Sequence, residues 1–149
     1  MLIGIFKCWH SKFFFLLVLC GCSSLVQADL QVSNSWVKLA PPGAKANAAY
    51  AQFYNPEHEA VVITSLSASC CKTLMLHRTR YENDRAFMEH VSELIIPAQS
   101  HVDLVPGGLH IMLMNASKPL RVGDQVEMQL RFNNGRQQTI HLLVSADEQ

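Results

Sequence analysis

From Leu30 to Ala146 almost every stretch of this chain alternates in character with a period of two. A strand sends successive side chains to opposite faces, whereas a helix returns to the same face every three or four residues. The alternation therefore constrains the fold more than any single motif does. The runs are LQVSNSWVKL, AAYAQFYN, AVVITSLSA, KTLMLHRTRY, AFMEHVSEL, HVDLV, LHIMLM, VEMQLRF and QQTIHLLVSA. Loop-forming stretches such as PPGAKAN and PEHE separate them, and Asn133-Asn134-Gly135 marks a tight hairpin between the last two. No window carries a three-turn amphipathic helix. Short strands at this spacing predict an all-β fold, a β-sandwich or small barrel, in one domain over about residues 30–146.

The first 28 residues follow a different pattern. Lys7 and Lys12 are their only charges, and the apolar run FFFLLVLCG leads into SSLVQA before Asp29. A basic start, an apolar stretch of about ten residues and a small-x-small ending describe a secretory signal peptide. The run is short for a membrane span, which takes roughly 20 residues. The expected division is a leader over 1–28, cleaved after Ala28, and a mature domain over 29–149 with no membrane span, located in the periplasm. The competing expectation is a lipoprotein anchored at Cys22 of LCGC. Leu19 and Gly21 suit that reading and Cys20 does not.

Without Lys7 and Lys12, ten of the chain's twelve Lys and Arg remain against all twelve Asp and Glu, a net charge near −2. No basic patch points to nucleic acid. Three of the five cysteines (Cys8, Cys20, Cys22) lie in the leader, leaving only Cys70 and Cys71. The mature domain is therefore not a disulfide scaffold and must be held by an apolar core.

Catalytic patterns are absent. There is no nucleophile elbow, no glycine-rich phosphate loop, and no base marked beside either cysteine, so no enzyme is expected. Histidine and methionine stand out instead. Met75/His77, Met88/His90 and His110/Met112 are pairs two residues apart, which a strand presents on one face. One such Met is ordinarily core filler, and one such His an ordinary surface residue. Three pairs within forty residues favour a soft cation. Thioether and imidazole together suit Cu(I), whereas zinc draws on thiolate, imidazole and carboxylate, and calcium on oxygen.

The spacing His77-x10-Met88-x21-His110-x-Met112, with APPGAKANAAYAQFYN before it and IIPAQSHVDLVPGGLHIMLM and KPLRVGDQVEMQLRF around and after it, resembles the PCuAC family of periplasmic copper chaperones. The likeness runs from about Trp36 to Phe132. It implies a cupredoxin-like β-sandwich that holds one Cu(I) through His77, Met88, His110 and Met112. It also implies delivery of copper to the CuA site of cytochrome c oxidase, directly or through another assembly chaperone, by a monomer. Met75, His90 and Met114 match no ligand position and are expected to pack around the site. Gly107 and Gly108 are expected to turn the chain sharply before His110.

Two departures stand beside the resemblance. Arg78 and Arg80 follow His77 where an acidic residue is expected, placing positive charge near a cation site. Cys70-Cys71 reads as two plain thiols, a vicinal disulfide, or extra soft ligands six or seven residues before His77. Alternative functions are copper tolerance or storage, supply of another cuproenzyme, an electron-transfer cupredoxin, and a metal-free β-sandwich binding module. The electron-transfer reading would need a Cys thiolate beside two histidines.

Overall fold

The structure, a computed structural model, describes residues 28–146. The expected leader up to Gln27 and the lipid-anchoring Cys22 lie outside the described residues. Ten strands follow in order: β1 (Gln31–Lys38), β2 (Ala46–Tyr54), β3 (Val61–Ala68), β4 (Cys71–Glu82), β5 (Arg85–Val91), β6 (Leu94–Ile96), β7 (His101–Leu104), β8 (Leu109–Ala116), β9 (Gln125–Phe132) and β10 (Gln137–Ser145). No helix occurs among the described residues. The all-β expectation holds, with one more strand than the sequence runs suggest. AFMEHVSEL breaks at Ser92-Glu93, because β5 pairs with β4 whereas β6 crosses to pair with β3.

One hydrogen-bonded path runs β5-β4-β8-β2-β1-β10-β9-β3-β6, with β7 beside β2. It turns at β1, which pairs antiparallel with β2 on one side and parallel with β10 on the other. The two halves thereby face each other as a sandwich. A single core joins Leu76, Ile111 and Leu113 of one layer to Ile63, Met128, Leu130 and Leu142 of the other. In β9 the alternation is complete, with Val126, Met128, Leu130 and Phe132 buried and the residues between them exposed. Burying an aliphatic side chain contributes about 1.5–3 kcal/mol, so this core can hold the domain without disulfides.

Two hairpins fix local register. Asn133-Asn134-Gly135 closes β9 to β10 as expected, with positive φ at Gly135 alone (84°). Asn83-Asp84 closes β4 to β5 with Glu82 opposite Arg85, and φ is positive at both turn residues (48° and 58°). A two-residue loop with that geometry is a type I′ turn, whose twist matches the flanking strands.

Candidate metal centre

The inward face of β8 carries Ile111 and Leu113, both buried in the core. Its outward face carries His110, Met112 and Met114, and the register of the neighbours places the other soft side chains beside them. His77 of β4 lies opposite both His110 of β8 and His90 of β5. Met75 lies opposite Met112, and Met88 lies opposite Thr79. Directly opposed residues on paired strands share a face. The result is a row of imidazoles, His110–His77–His90, with Met112 and Met75 one step along the sheet and Met88 one step the other way.

The row continues inward as aromatic rings. Trp36 stacks on Tyr50 at 4.9 Å between centroids, and Tyr50 lies 6.5 Å from the His110 ring. Exposure rises toward the sheet edge: Trp36, Tyr50 and His110 are buried, His77 is half-buried, and His90 is exposed. The inner end of the site is thus a dry aromatic wall and the outer end meets solvent. Met88 stands at the rim, 64% exposed, and shares a cleft with His110, Met112, Tyr50 and the Leu39–Pro41 segment.

His110 is aimed by the turn that precedes it. Gly107 adopts φ 76°, and the Gly108 amide donates to the Val105 carbonyl at 3.0 Å. Gly107 is where glycine's freedom is needed, since Gly108 has no positive φ. The Gly108 carbonyl then accepts from the Thr79 amide at 3.0 Å, and His110 Nδ1 lies 3.1 Å from it. A carbonyl only accepts, so Nδ1 carries the proton and Nε2 keeps a free lone pair. This fixed tautomer is the form in which imidazole ligates a metal.

His77 Nδ1 lies 2.9 Å from Met112 Sδ. A thioether is a weak acceptor, so this close approach reflects two side chains directed into one space. Burial, then the nearby His110 and His90, push the pKa of His77 below its ordinary value. Its imidazole therefore favours the neutral form, the form with a lone pair to give.

All four expected ligand positions thus lie on one face. His77 touches Met112, and His110, Met112 and Met88 share one cleft. The structure also places His90 and Met75 on this face, beside His77 and Met112. Neither matches a ligand position of the motif, and both stand around the site as the sequence leads one to expect. The signal for His90 was the Asn83-Asp84 turn, because a two-residue loop there pairs 82 with 85 and hence 77 with 90.

Two expectations are corrected. Arg78 and Arg80 alternate onto the face opposite His77, and Arg80 pairs with Glu89 at 3.8 Å, so neither charge points into the site. Cys70 and Cys71 stand close together, with Sγ atoms 3.0 Å apart. Cys71 lies six positions before His77 along one continuous strand, about 20 Å at the rise of a strand. The thiols therefore add no ligands to this site, and a Cys-containing blue-copper centre is not built here. Burial first, and Cys70 second, push the Cys71 pKa up to about 12, so its thiol stays protonated near neutral pH.

Comparison with known proteins agrees with the fold. The copper-bound PCuAC domain from PmoF2 superposes with a TM-score of 0.68 at 21% identity, over 80% of this chain and 95% of that one. The Cu(I)-bound solution structure of DR1885 from Deinococcus radiodurans gives 0.64 at 26% identity, over 86% and 84%. In sequence, the chain is 38% identical over 111 residues to "Putative lipoprotein Lxx21020" of Leifsonia xyli subsp. xyli (strain CTCB07), covering 73% of this chain. It spans 66% of that relative's length, just under two thirds. Residues 30–144 match the family described as "Putative lipoprotein LpqE-like". Over nearly the whole described domain, then, this chain belongs to the LpqE-like family.

Proposed function

We propose that this chain is an exported carrier of Cu(I), held by His77, Met88, His110 and Met112. The observation that carries the reading is the row of imidazoles flanked by thioethers, with His77 Nδ1 2.9 Å from Met112 Sδ. The copper-bound PCuAC domain and Cu(I)-bound DR1885 share the fold and support the choice of metal. The lipoprotein description of the family supports export. Four neutral ligands leave the site with the ion's single positive charge. Burial of that charge against Tyr50 and Trp36 is tolerable only if the donors meet it closely.

The arrangement also explains release. A thioether binds soft Cu(I) without a proton to lose, and Met88 sits exposed at the rim. An acceptor offering a thiolate would displace Met88 first and then draw the ion outward, by ligand exchange with no bond made or broken in a substrate. Delivery by a monomer to the CuA site of cytochrome c oxidase, or to an assembly chaperone acting before it, fits this chemistry.

The test is a Cu(I) titration against a chromogenic chelator. It compares the mature protein, Met88→Ala/Met112→Ala and Cys70→Ser/Cys71→Ser. One tight equivalent, lost without the methionines and kept without the cysteines, is the expected result. Tight binding that survives loss of both methionines would refute the ligand set. The acceptor is tested separately by deleting the gene and measuring oxidase activity with and without added copper. Unchanged oxidase activity in copper-poor medium would refute delivery to that enzyme.

A further inference from the structure

Cys70 and Cys71 are left unused by the copper reading. Cys70 lies in the turn after β3, and Cys71 opens β4. Both are half-buried, and their Sγ atoms lie 3.0 Å apart. The backbone beneath them is fixed, because the Cys70 carbonyl accepts from the Ser117 amide at 2.8 Å and from the Ser117 hydroxyl at 3.1 Å. Cys70 also lines an open cleft with Ser69, Lys118 and Pro119, so the pair can be reached from solvent.

What such a pair can hold follows from its bite. Consecutive Cα atoms are about 3.8 Å apart, closer than the roughly 4.4–6.8 Å that a disulfide normally spans. Closing the pair on itself would store strain, which favours two free thiols. A tetrahedral zinc ion with bonds of about 2.3 Å needs its sulfurs about 3.8 Å apart. A linear Cu(I) dithiolate needs them on opposite sides of the ion, at twice the bond length. A centre whose bond angles are near a right angle fits better, since bonds of that length then put the sulfurs about 3.3 Å apart. Trivalent arsenic and antimony are such centres, thiophilic and made pyramidal by a lone pair. They also need few protein donors. Two thiolates suffice, with a hydroxyl in the third place, and among the described residues no third His, Cys, Asp or Glu joins this pair into a metal-holding group.

We propose that Cys70 and Cys71 form a chelating site for trivalent arsenic or antimony, taken up as the neutral oxyacid. Arsenous acid condenses with both thiols. Two As–S bonds form, two As–O bonds and two S–H bonds break, and two water molecules leave. No electron is transferred, and no charge is left in the half-buried site. Burial keeps the Cys71 thiol protonated near neutral pH, which suits a reaction in which each thiol proton departs with a hydroxyl. The site lies six strand positions from His77, about 20 Å away, and the inference does not rest on the carrier reading.

The test uses the mature protein, Cys70→Ser and Cys71→Ser, each checked for folding by circular dichroism. The probes are arsenite and phenylarsine oxide, and binding is read by intact mass and by the loss of titratable thiols. The wild type is expected to take one arsenic per chain with both thiols consumed. It should keep the arsenic against excess glutathione and yield it to a small 1,2-dithiol. Either single variant should hold the probe at least about a hundredfold more weakly, because the second bond is no longer intramolecular. Cu(I) stoichiometry in a chelator competition should be the same with and without bound arsenic. A single-cysteine variant that holds the probe as tightly as the wild type overturns the inference, as does a wild type that takes no arsenic. Purified protein whose two thiols titrate only after reduction overturns it too, because the pair would then be closed. Arsenic that abolishes Cu(I) binding overturns the separation of the two sites. A wild type that takes arsenic on both thiols and no Cu(I) sinks the carrier reading and leaves this site standing.

Discussion

Asn55 offers a way to separate what holds the sandwich from what fills the site. It is fully buried just after β2, and its side chain joins two segments of the chain. Nδ2 donates to the carbonyls of Glu59 at 2.8 Å, Ile96 at 3.1 Å and Pro97 at 3.1 Å, while Oδ1 accepts from the Glu57 amide at 3.0 Å. The amide thus ties the β2–β3 connection to the end of β6. Asn55→Leu keeps the branching at Cγ with a bulkier apolar side chain and removes all four bonds. At about 1 kcal/mol per bond, with a larger cost for a stranded amide, the expected destabilisation is about 3–5 kcal/mol. Total stabilities of small domains are about 5–15 kcal/mol, so the variant loses a large share of its margin. For a domain of this size that corresponds to a drop in Tm of roughly 10–20 °C. The assay is thermal and urea unfolding followed by circular dichroism, with Cu(I) stoichiometry measured at 15 °C on the folded fraction. Stoichiometry should be unchanged, because Asn55 takes no part in the His/Met face. A loss of stability below about 1 kcal/mol would refute the reasoning that these four bonds hold the layers in place.

Three further outcomes follow from the site and its surroundings. Met112→Leu conserves volume and should cost less than about 1.5 kcal/mol of stability, yet weaken Cu(I) at least about tenfold in a chelator competition; equal affinity would remove Met112 from the ligand set. Gly107→Ala forces a Cβ into φ 76°, where it would also meet the Tyr81 hydroxyl at 3.5 Å. This should cost about 1–2 kcal/mol in urea unfolding and weaken Cu(I) by disturbing the aim of His110; wild-type values for both would show that the turn does not need glycine. Cys71, with its pKa pushed up to about 12, should alkylate slowly with iodoacetamide at pH 8 and about tenfold faster per pH unit above it. Because the folded state holds this proton more tightly than the ordinary thiol pKa of 9.0 would, its contribution to stability is intact below pH 9 and falls as pH rises toward 12; rapid labelling at pH 8 in the folded protein would contradict that burial.

Period-two alternation made the all-β fold legible, because a half-buried strand must alternate whatever it pairs with. The turn at Asn133-Asn134-Gly135 was legible for a similar reason, since its backbone demand is local. Asn83-Asp84 was equally local and was passed over, because Asn-Asp is a weaker turn signal than Asn-Gly. That omission hid the His77–His90 pairing. The facing of β4 and β8 was hidden for a different reason. After β5 the chain crosses to β3 of the other layer and comes back before His110, so nothing local fixes the register of His77 against His110. The spacing motif supplied it by resemblance alone. Counting residues along the chain puts Arg78 and Arg80 near the site, whereas the strand alternation sends both to the far face.

The placement of the soft residues on β5 has a dynamic consequence. β5 ends the hydrogen-bonded path, so one of its edges is unpaired among the described residues, and no residue in it is buried. β8, by contrast, lies between β4 and β2 and carries Ile111 and Leu113 in the core. Local opening draws on elements with few buried apolar contacts, so β5 should lift from β4 more readily than β8 can leave either neighbour. In the proposed site the fixed donors, His110 and Met112, are on the rigid strand, while Met88 is on the one that opens. A carrier needs that division: geometry held on one side for affinity, and freedom on the other for exchange. Amide hydrogen exchange checks it. In the apoprotein, Phe87, Glu89 and Val91 should exchange at least about a hundredfold faster than Ile111 and Leu113, and Cu(I) should slow β5 far more than β8. Equal protection of the two strands before copper, or no slowing of β5 after it, would mean that the edge strand is not the moving part and that release proceeds from the inner wall.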